Sequence, residues 1–180
     1  DLSNWDVSSV NNMHYMFYYA DSFNSDLSSW NVSSVAYMDG MFQAVTSFNS
    51  DLSGWDVSSV TNMGSMFWDA DSFNSDLSSW DVSSVTDMSY MFHSADSFNS
   101  DLSSWDVSSV TTMHYMFEGA DALSDGNKCA IHTSFSSNEY WAYDWSEFCL
   151  AGCTNPDATN YDETANVDDG SCCIELWGEC

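Results

Sequence analysis

The chain has almost no positive charge. Lys128 is the single lysine or arginine among 180 residues, against 28 acidic side chains, for a formal net charge of −27. Neutralising nucleic-acid phosphates takes several Lys or Arg, so phosphate-backbone binding is excluded. Attraction to anionic membrane surfaces is excluded on the same ground. No run of 18 apolar residues occurs, so no transmembrane helix and no membrane insertion are expected. Cysteine is missing from the first 128 residues. There is no initiator Met and no signal-like start, as expected of a mature or trimmed product. Acidic composition can mean disorder, but 44% hydrophobic and 16% aromatic residues supply too much apolar surface for that. The charge fits a secreted protein in salty, calcium-containing surroundings, where counter-ions screen the repulsion.

What is present is a repeat. DLSSWDVSSV TTMHYMFEGA begins at Asp101, and the same phrase opens at Asp1, Asp26, Asp51 and Asp76, without insertion or deletion. Residues 1–125 are therefore five copies of one 25-residue unit, the mark of a solenoid or array. Two apolar rhythms run through each copy. Leu102, Trp105, Val107 and Val110 include the Trp-Asp-Val alternation of a short strand with one buried face. Val110, Met113, Met116, Phe117 and Ala120 have the spacing of one side of a short helix, with Ser108 or Ser109 placed to cap it. The ADSFNS ending reads as turns around one buried Phe.

The expected fold is an α/β repeat solenoid of leucine-rich-repeat type. It has five strand–helix coils, one parallel in-register sheet with strands about 4.8 Å apart, and a small disulfide-rich C-terminal cap. Stacking makes columns of Trp (Trp5 to Trp105), Phe (Phe17 to Phe117) and two of Met, which use all ten methionines. Such a lining is core rather than a cofactor box. The expected division is 1–125 repeats, 126–150 capping segment and 151–180 acidic disulfide module. In the cap, Ser124 N-caps a helix through Lys128, Ala130 and Ile131, and Trp141, Tyr143, Trp145 and Phe148 cover the last coil, as solenoid ends require.

The outward positions vary. They hold His14, Tyr15, Tyr18 and Tyr19 in copy one, Trp68 in copy three, Tyr90 and His93 in copy four, and His114 and Tyr115 in copy five. Exposed aromatics of this kind mark a contact face or are isolated surface rings. The columns of Asp6, Asn31, Asp56, Asp81 and Asp106, and of Asp1, Asp26, Asp51, Asp76 and Asp101, read either as a cation ladder or, preferred here, as local Asx turns capping the helices. His14 and His114 stand four copies apart, and no Ser lies in a nucleophile elbow, so no enzyme is expected.

The phrase FNSDLSSWDVSSVTxMxxMF resembles the 25-residue repeats of BspA-like leucine-rich-repeat surface proteins of bacteria, over residues 1–125. The resemblance implies a cell-surface, adhesive or scaffolding role without catalysis. The following segment, through Cys149, looks like the one that closes such arrays.

Six cysteines, at 129, 149, 153, 172, 173 and 180, point to disulfides and an oxidising compartment. The preferred pairing is Cys129–Cys149, Cys153–Cys172 and Cys173–Cys180, which closes three consecutive loops. Zinc would need C-x-x-C pairs or neighbouring His ligands, and neither is present. The stretch Gly152–Cys172 resembles a disulfide-closed calcium loop of secreted bacterial proteins. Asn155, Asp157, Asn160, Asp162, Asp168 and Asp169 offer hard oxygen ligands only, which suit calcium, although the spacing is not that of an EF-hand. The alternative is an acidic loop without metal. Asn31-Val32-Ser33 is a sequon, and the Asp-Ser turns at Ser22, Ser72 and Ser97 resemble bacterial O-glycan acceptors.

The ends differ. The C-terminal side of the array has a cap, whereas Leu2, Trp5, Val7, Met13, Met16 and Phe17 belong to a coil with nothing written before it. That leaves an apolar face and a bare edge. The expectation is an extracellular subunit that assembles head to tail with copies of itself into a filament. The alternative is a monomeric or cell-anchored adhesin that binds other surface proteins or glycans.

Overall fold

The computed structural model describes residues 2–168 and Cys172. Expectations that involve Asp1, Asp169, Cys173 or Cys180 fall outside the described residues. Each 25-residue unit is a succession of turns. In unit 1, backbone N–H groups donate three residues back at Trp5 to Leu2, Val10 to Val7, Met16 to Met13, Tyr18 to Tyr15, Ala20 to Phe17 and Phe23 to Ala20, at 2.8–3.2 Å. The same six turns recur in every unit.

The strand–helix coil expected from the two apolar rhythms does not form. Among the described residues of the five units there is no helix, and pairing is limited to isolated parallel bridges through Asn12, Tyr37, Asn62, Asp87 and Thr112. The leucine-rich-repeat type of α/β solenoid is therefore replaced by stacked, turn-built layers.

Two physical reasons account for this. A helix over Val110–Ala120 would need right-handed residues throughout, yet the fifteenth and nineteenth positions of every unit have positive φ. They run from 52° at Ser94 to 75° at Gly119, and eight of these ten residues are not glycine. The three-residue apolar spacing belongs to consecutive turns. On the strand side, Asp6 Oδ1 accepts from Ser8 N at 3.1 Å and Ser8 Oγ at 2.6 Å. Asp56, Asp81 and Asp106 do the same for Ser58, Ser83 and Ser108 N–H. The side chain thus captures an N–H that a sheet ladder would use, and these Asx turns cap no helix.

Burial outweighs the backbone cost. A left-handed L-residue costs about 1–2 kcal/mol, and each unit has one or two. Against this, Leu52, Trp55, Val57, Val60, Met63, Met66, Phe67, Ala70 and Phe73 are all buried in unit 3, and a large apolar side chain contributes about 1.5–3 kcal/mol. The layers lock at the Phe columns. Phe42, Phe67 and Phe92 stack at centroid spacings of 5.7 and 5.6 Å. Each also lies 3.9–4.1 Å from a second column of Phe48, Phe73 and Phe98. Trp30, Trp55, Trp80 and Trp105 each donate the indole N–H to the Leu carbonyl of the unit before, as Trp55 does to Leu27 at 3.1 Å. An Asn ladder runs alongside: Asn49, Asn74 and Asn99 backbone N–H groups donate to Asn24, Asn49 and Asn74 Oδ1.

Helix α1, Asp125–Phe135, begins the cap, with Ser124 Oγ accepting from Asn127 N at 3.3 Å. It buries Cys129, Ile131 and Phe135. A disulfide joins Cys129 to Cys149, with Cα atoms 4.9 Å apart, beside a short 3₁₀ turn over Ser146–Phe148. Trp141, Tyr143 and Trp145 pack on Phe117, with centroids 5.5–6.3 Å away. The tail has a two-residue parallel pair, β1 (Ala151–Gly152) and β2 (Val167–Asp168), and a Cys153–Cys172 disulfide.

The Asx carboxylates give the stack an acid sensitivity. Hydrogen bonds from the serine two residues on hold Asp6, Asp26, Asp51, Asp56, Asp76, Asp81 and Asp106 below the usual Asp range. A carboxylate with a lowered folded pKa contributes stability above its unfolded value and loses it as pH falls through the folded value. Asp71 runs the other way, raised by burial and then by Asp96 and Asp69, but it is one group against seven. Melting temperature is therefore expected to hold at neutral pH and to fall as pH drops below about 4. A melting temperature that rises steadily from pH 7 to pH 3 would contradict the role of these turns.

Candidate interaction site

The surface that stands out chemically is the open end of unit 1. Trp5 is 54% exposed, whereas Trp30, Trp55, Trp80 and Trp105 are at 3–4%. Met16 is exposed at 36%, and Met41, Met66, Met91 and Met116 are fully buried. Leu2 and Phe17 are half-buried. Val7 and Met13 are buried at 5% and 2%, because their side chains point into their own unit and against unit 2. Of the six residues that the sequence assigns to an assembly face, four reach the surface and two do not.

A ring cluster adjoins this end. Tyr15, Tyr18 and Tyr19 are all exposed, with Tyr15–Tyr18 centroids 4.9 Å apart and Tyr18–Tyr19 4.5 Å apart. His14 Nδ1 contacts Asp39 Oδ2 across the first junction, and His14 packs on Tyr15 at 4.1 Å. Gly40 lets Tyr15 lie down: a Cβ there would overlap the Tyr15 ring, and Gly40 itself has φ +61°. The sequence placed these rings outside and together in the first unit, but not their contacts with one another. Their neighbour relations depend on the turn geometry, which brings Tyr15 and Tyr18, three apart, together without a helix.

A second aromatic line crosses units 3 to 5. Trp68 stacks on Tyr90 at 5.1 Å and 14°, and Tyr90 on Tyr115 at 5.1 Å and 29°. His93 and His114 flank it, each about one ring away from Trp68 or Tyr90. These rings use their faces on one another, so ring edges and Tyr hydroxyls turn outward.

Backbone polarity completes the site. Across each junction four N–H groups of one unit donate to four carbonyls of the next, and the next unit donates back, as Ala36 N does to the Asn11 carbonyl at 2.9 Å. In the first junction the four are Met13 to Tyr37, Tyr15 to Asp39, Phe17 to Met41 and Tyr19 to Gln43, at 2.8–3.0 Å. The cap meets the last unit with side chains instead. Tyr143 OH accepts from Phe117 N at 2.9 Å, and Asn138 Nδ2 donates to the Val107 and Val110 carbonyls at 2.7 and 2.9 Å. Burial pushes the Tyr143 hydroxyl up to about 12.

In the tail, two of the suggested calcium ligands, Asn155 and Asp162, serve local turns. Asn155 Oδ1 accepts from Asp157 N at 2.9 Å, and Asp162 Oδ1 accepts from Thr164 N and Oγ1 at 2.9 and 2.7 Å. Both are thus engaged in their own turns, which also holds Asp162 below the usual Asp range. Among the described residues no three His, Cys, Asp or Glu side chains come together to hold an ion. Asp169 lies outside the described residues. The glycan candidates Ser22, Ser72, Ser97 and Asn31 are all exposed. The sequon is folded on itself, with Asn31 Oδ1 accepting from Ser33 Oγ at 2.7 Å.

One family model matches the chain, over residues 1–88 and again over 50–143; it is described as "Mycoplasma protein of unknown function, DUF285". The chain belongs to this family. Membership supports a bacterial surface repeat protein and does not bear on leucine-rich-repeat geometry or a calcium loop. Among curated proteins and solved structures no significant match is found. The DUF285 match includes the open end of unit 1 and most of the cap, and stops before the acidic tail. Among the described residues, no helix is long and apolar enough to cross a membrane.

Proposed function

We propose that this DUF285 chain is an extracellular surface protein whose copies assemble head to tail, with unit 1 of one copy covered by the C-terminal side of the next. The observation that carries the reading is the contrast at equivalent positions: Trp5 and Met16 are open where the matching Trp and Met of units 2 to 5 are buried. A layer whose chemistry is that of a core, left facing water, favours a partner of matching shape. Contact between two different surfaces of one molecule propagates when it does not close. Two disulfides favour an oxidising compartment. The charge of −27 opposes close approach of copies until salt screens it, so assembly should strengthen with ionic strength.

Light scattering after size exclusion tests this reading. Wild-type protein is expected to grow in mass with concentration at physiological salt. Trp5→Lys with Met16→Lys is expected to stay at the mass of one chain and to keep its far-ultraviolet spectrum. Wild-type protein that stays at one chain mass at high concentration, with calcium present, would overturn assembly.

The exposed Tyr15, Tyr18 and Tyr19 cluster favours a second reading, a monomeric or anchored adhesin for other surface proteins or glycans. Retained binding to cells by the Trp5→Lys, Met16→Lys variant, with loss in a Tyr18→Ala, Tyr19→Ala variant, would support it over assembly.

For the tail we propose calcium as ligand of the loop closed by Cys153 and Cys172. Its hard oxygen donors support this, and the loss of stability on chelation checks it through mass action. Calorimetric titration is expected to show saturable calcium binding while the disulfide is intact. A flat titration would remove calcium from the account.

A further inference from the structure

The cap is not a sixth unit, and where it departs from one it leaves a space. At the internal junctions the backbone N–H of the eleventh residue donates to the eleventh carbonyl of the unit before, from Ala36 on Asn11 to Thr111 on Thr86, each at 2.9 Å. Among the described residues no N–H reaches the Thr111 carbonyl. Thr111 borders instead a cavity of about 570 Å³, within the range of small-molecule sites, about 300–1,000 Å³. Asp106, Ser108 and Thr111 of unit 5 line one side. Ser134, from the last turn of α1, lines the other with Ser137, Glu139 and Tyr140 from the segment after it. Asn138 pins that segment to unit 5 through the Val107 and Val110 carbonyls, and its Oδ1 accepts from Tyr140 N at 2.7 Å. The Asn138 amide is therefore spent on building the cavity and not on a ligand.

The groups left over define the chemistry. Among the described residues, the Ser134 and Ser137 hydroxyls, the Glu139 carboxylate and the Tyr140 hydroxyl have no protein partner. Asp106 Oδ1 accepts from Ser108 N at 3.0 Å, which leaves Oδ2. Thr111 Oγ1 donates to the Thr86 carbonyl at 3.2 Å and keeps its lone pairs. Tyr140 is 46% exposed. No Lys, Arg or His stands among the described lining residues. Two carboxylates without a cation repel phosphate, sulfate and acidic sugars. A hydrocarbon would strip water from these groups and return no hydrogen bond. A lone cation would pair with two exposed carboxylates, which contributes little in water, and would leave the hydroxyls unused. A neutral sugar ring answers all of them. Its hydroxyls donate to the carboxylates and exchange donor and acceptor roles with Ser134, Ser137 and Thr111, and its C–H face lies on the Tyr140 ring.

We propose that the cavity between unit 5 and the cap binds a neutral saccharide, with Asp106 and Glu139 accepting from its hydroxyls and Tyr140 as the platform under one ring. The site stands four units from the Tyr15, Tyr18 and Tyr19 cluster. It deepens the adhesin reading, on which its use at a surface rests, and requires no contact between copies.

Calorimetric titration of the full chain tests it, with neutral trisaccharides of glucose, galactose, mannose and N-acetylglucosamine as probes. Sialyllactose serves as the acidic control and trilysine as the cationic one. At least one neutral trisaccharide is expected to bind, with equal affinity at low and at high salt, and sialyllactose is expected not to. Tyr140→Ala keeps the backbone bond to Asn138 and is expected to weaken binding about tenfold, the scale of one lost stacking contact. Asp106→Asn with Glu139→Gln is expected to weaken it as well. That variant keeps the local turn, because Asn31 makes the same turn in unit 2, accepting from Ser33 N and Oγ at 3.2 and 2.7 Å. Unchanged melting curves would verify both folds. Absence of binding to all four neutral trisaccharides would overturn the proposal. So would binding that both variants retain at wild-type strength, which would put the sugar elsewhere. Trilysine bound in their place, with affinity falling as salt rises, would assign the cavity to a cation and overturn it too. Cells held equally by wild type and Tyr140→Ala would overturn this site and leave the adhesin reading to its Tyr18, Tyr19 test.

Discussion

Replacing Trp55 by Ala is expected to lower unfolding free energy by about 3–5 kcal/mol, the range for a large aromatic removed from a packed core. Trp55 is 4% exposed, its ring lies 6.3 Å from that of Phe42, and its indole N–H donates to the Leu27 carbonyl at 3.1 Å. Truncation leaves both a cavity between two layers and a buried carbonyl without its donor, which adds to the loss. The same change at Trp5 is the internal control. Trp5 is 54% exposed and donates to no carbonyl among the described residues, so Trp5→Ala in dilute monomer should stay within about 0.5 kcal/mol of wild type. Urea titrations of the two variants give the comparison. Equal midpoints for Trp55→Ala and Trp5→Ala would mean that the layers do not pack as described.

Removing the cap disulfide, by Cys129→Ser with Cys149→Ser, is expected to lower stability by about 3 kcal/mol through loop entropy returned to the unfolded chain. The residues are 20 apart in sequence. The bond ties α1 to the segment that carries Trp141, Tyr143 and Trp145, and those rings are what covers Phe117. Loosening it should therefore expose the last layer first. Tryptophan emission is expected to shift to the red at lower urea than in wild type, ahead of the loss of the repeat signal. Coincident transitions with an unchanged midpoint would show that the cap holds without the bond.

The cap was partly legible in the sequence. Ser124 before a helix-forming stretch marks the start of α1, and the aromatic run after it marks a cover. The tail was legible only as composition. Its oxygen donors are spread over turns that satisfy several of them internally, and sequence spacing cannot say whether side chains converge.

The repeat itself, its length of 25 and the identity of its core columns were determined by sequence alone, because Trp, Phe, Met, Val and Leu recur at fixed positions and must be buried together. The conformation of the unit was not. A spacing of three, three, one and three serves a helix or a run of turns equally well. The choice went to turns because stacking buries nine apolar side chains in an inner layer such as unit 3 and aligns four N–H groups with the next unit, which stabilises left-handed φ at Tyr15 or Tyr90 that no isolated segment would adopt. Exposure followed from the same packing. Val7 and Met13 turn inward while Trp5 and Met16 turn toward the open side. The hydrogen bonds between layers exist only once the layers are stacked, because a single unit has no neighbour with which its donors and acceptors can pair.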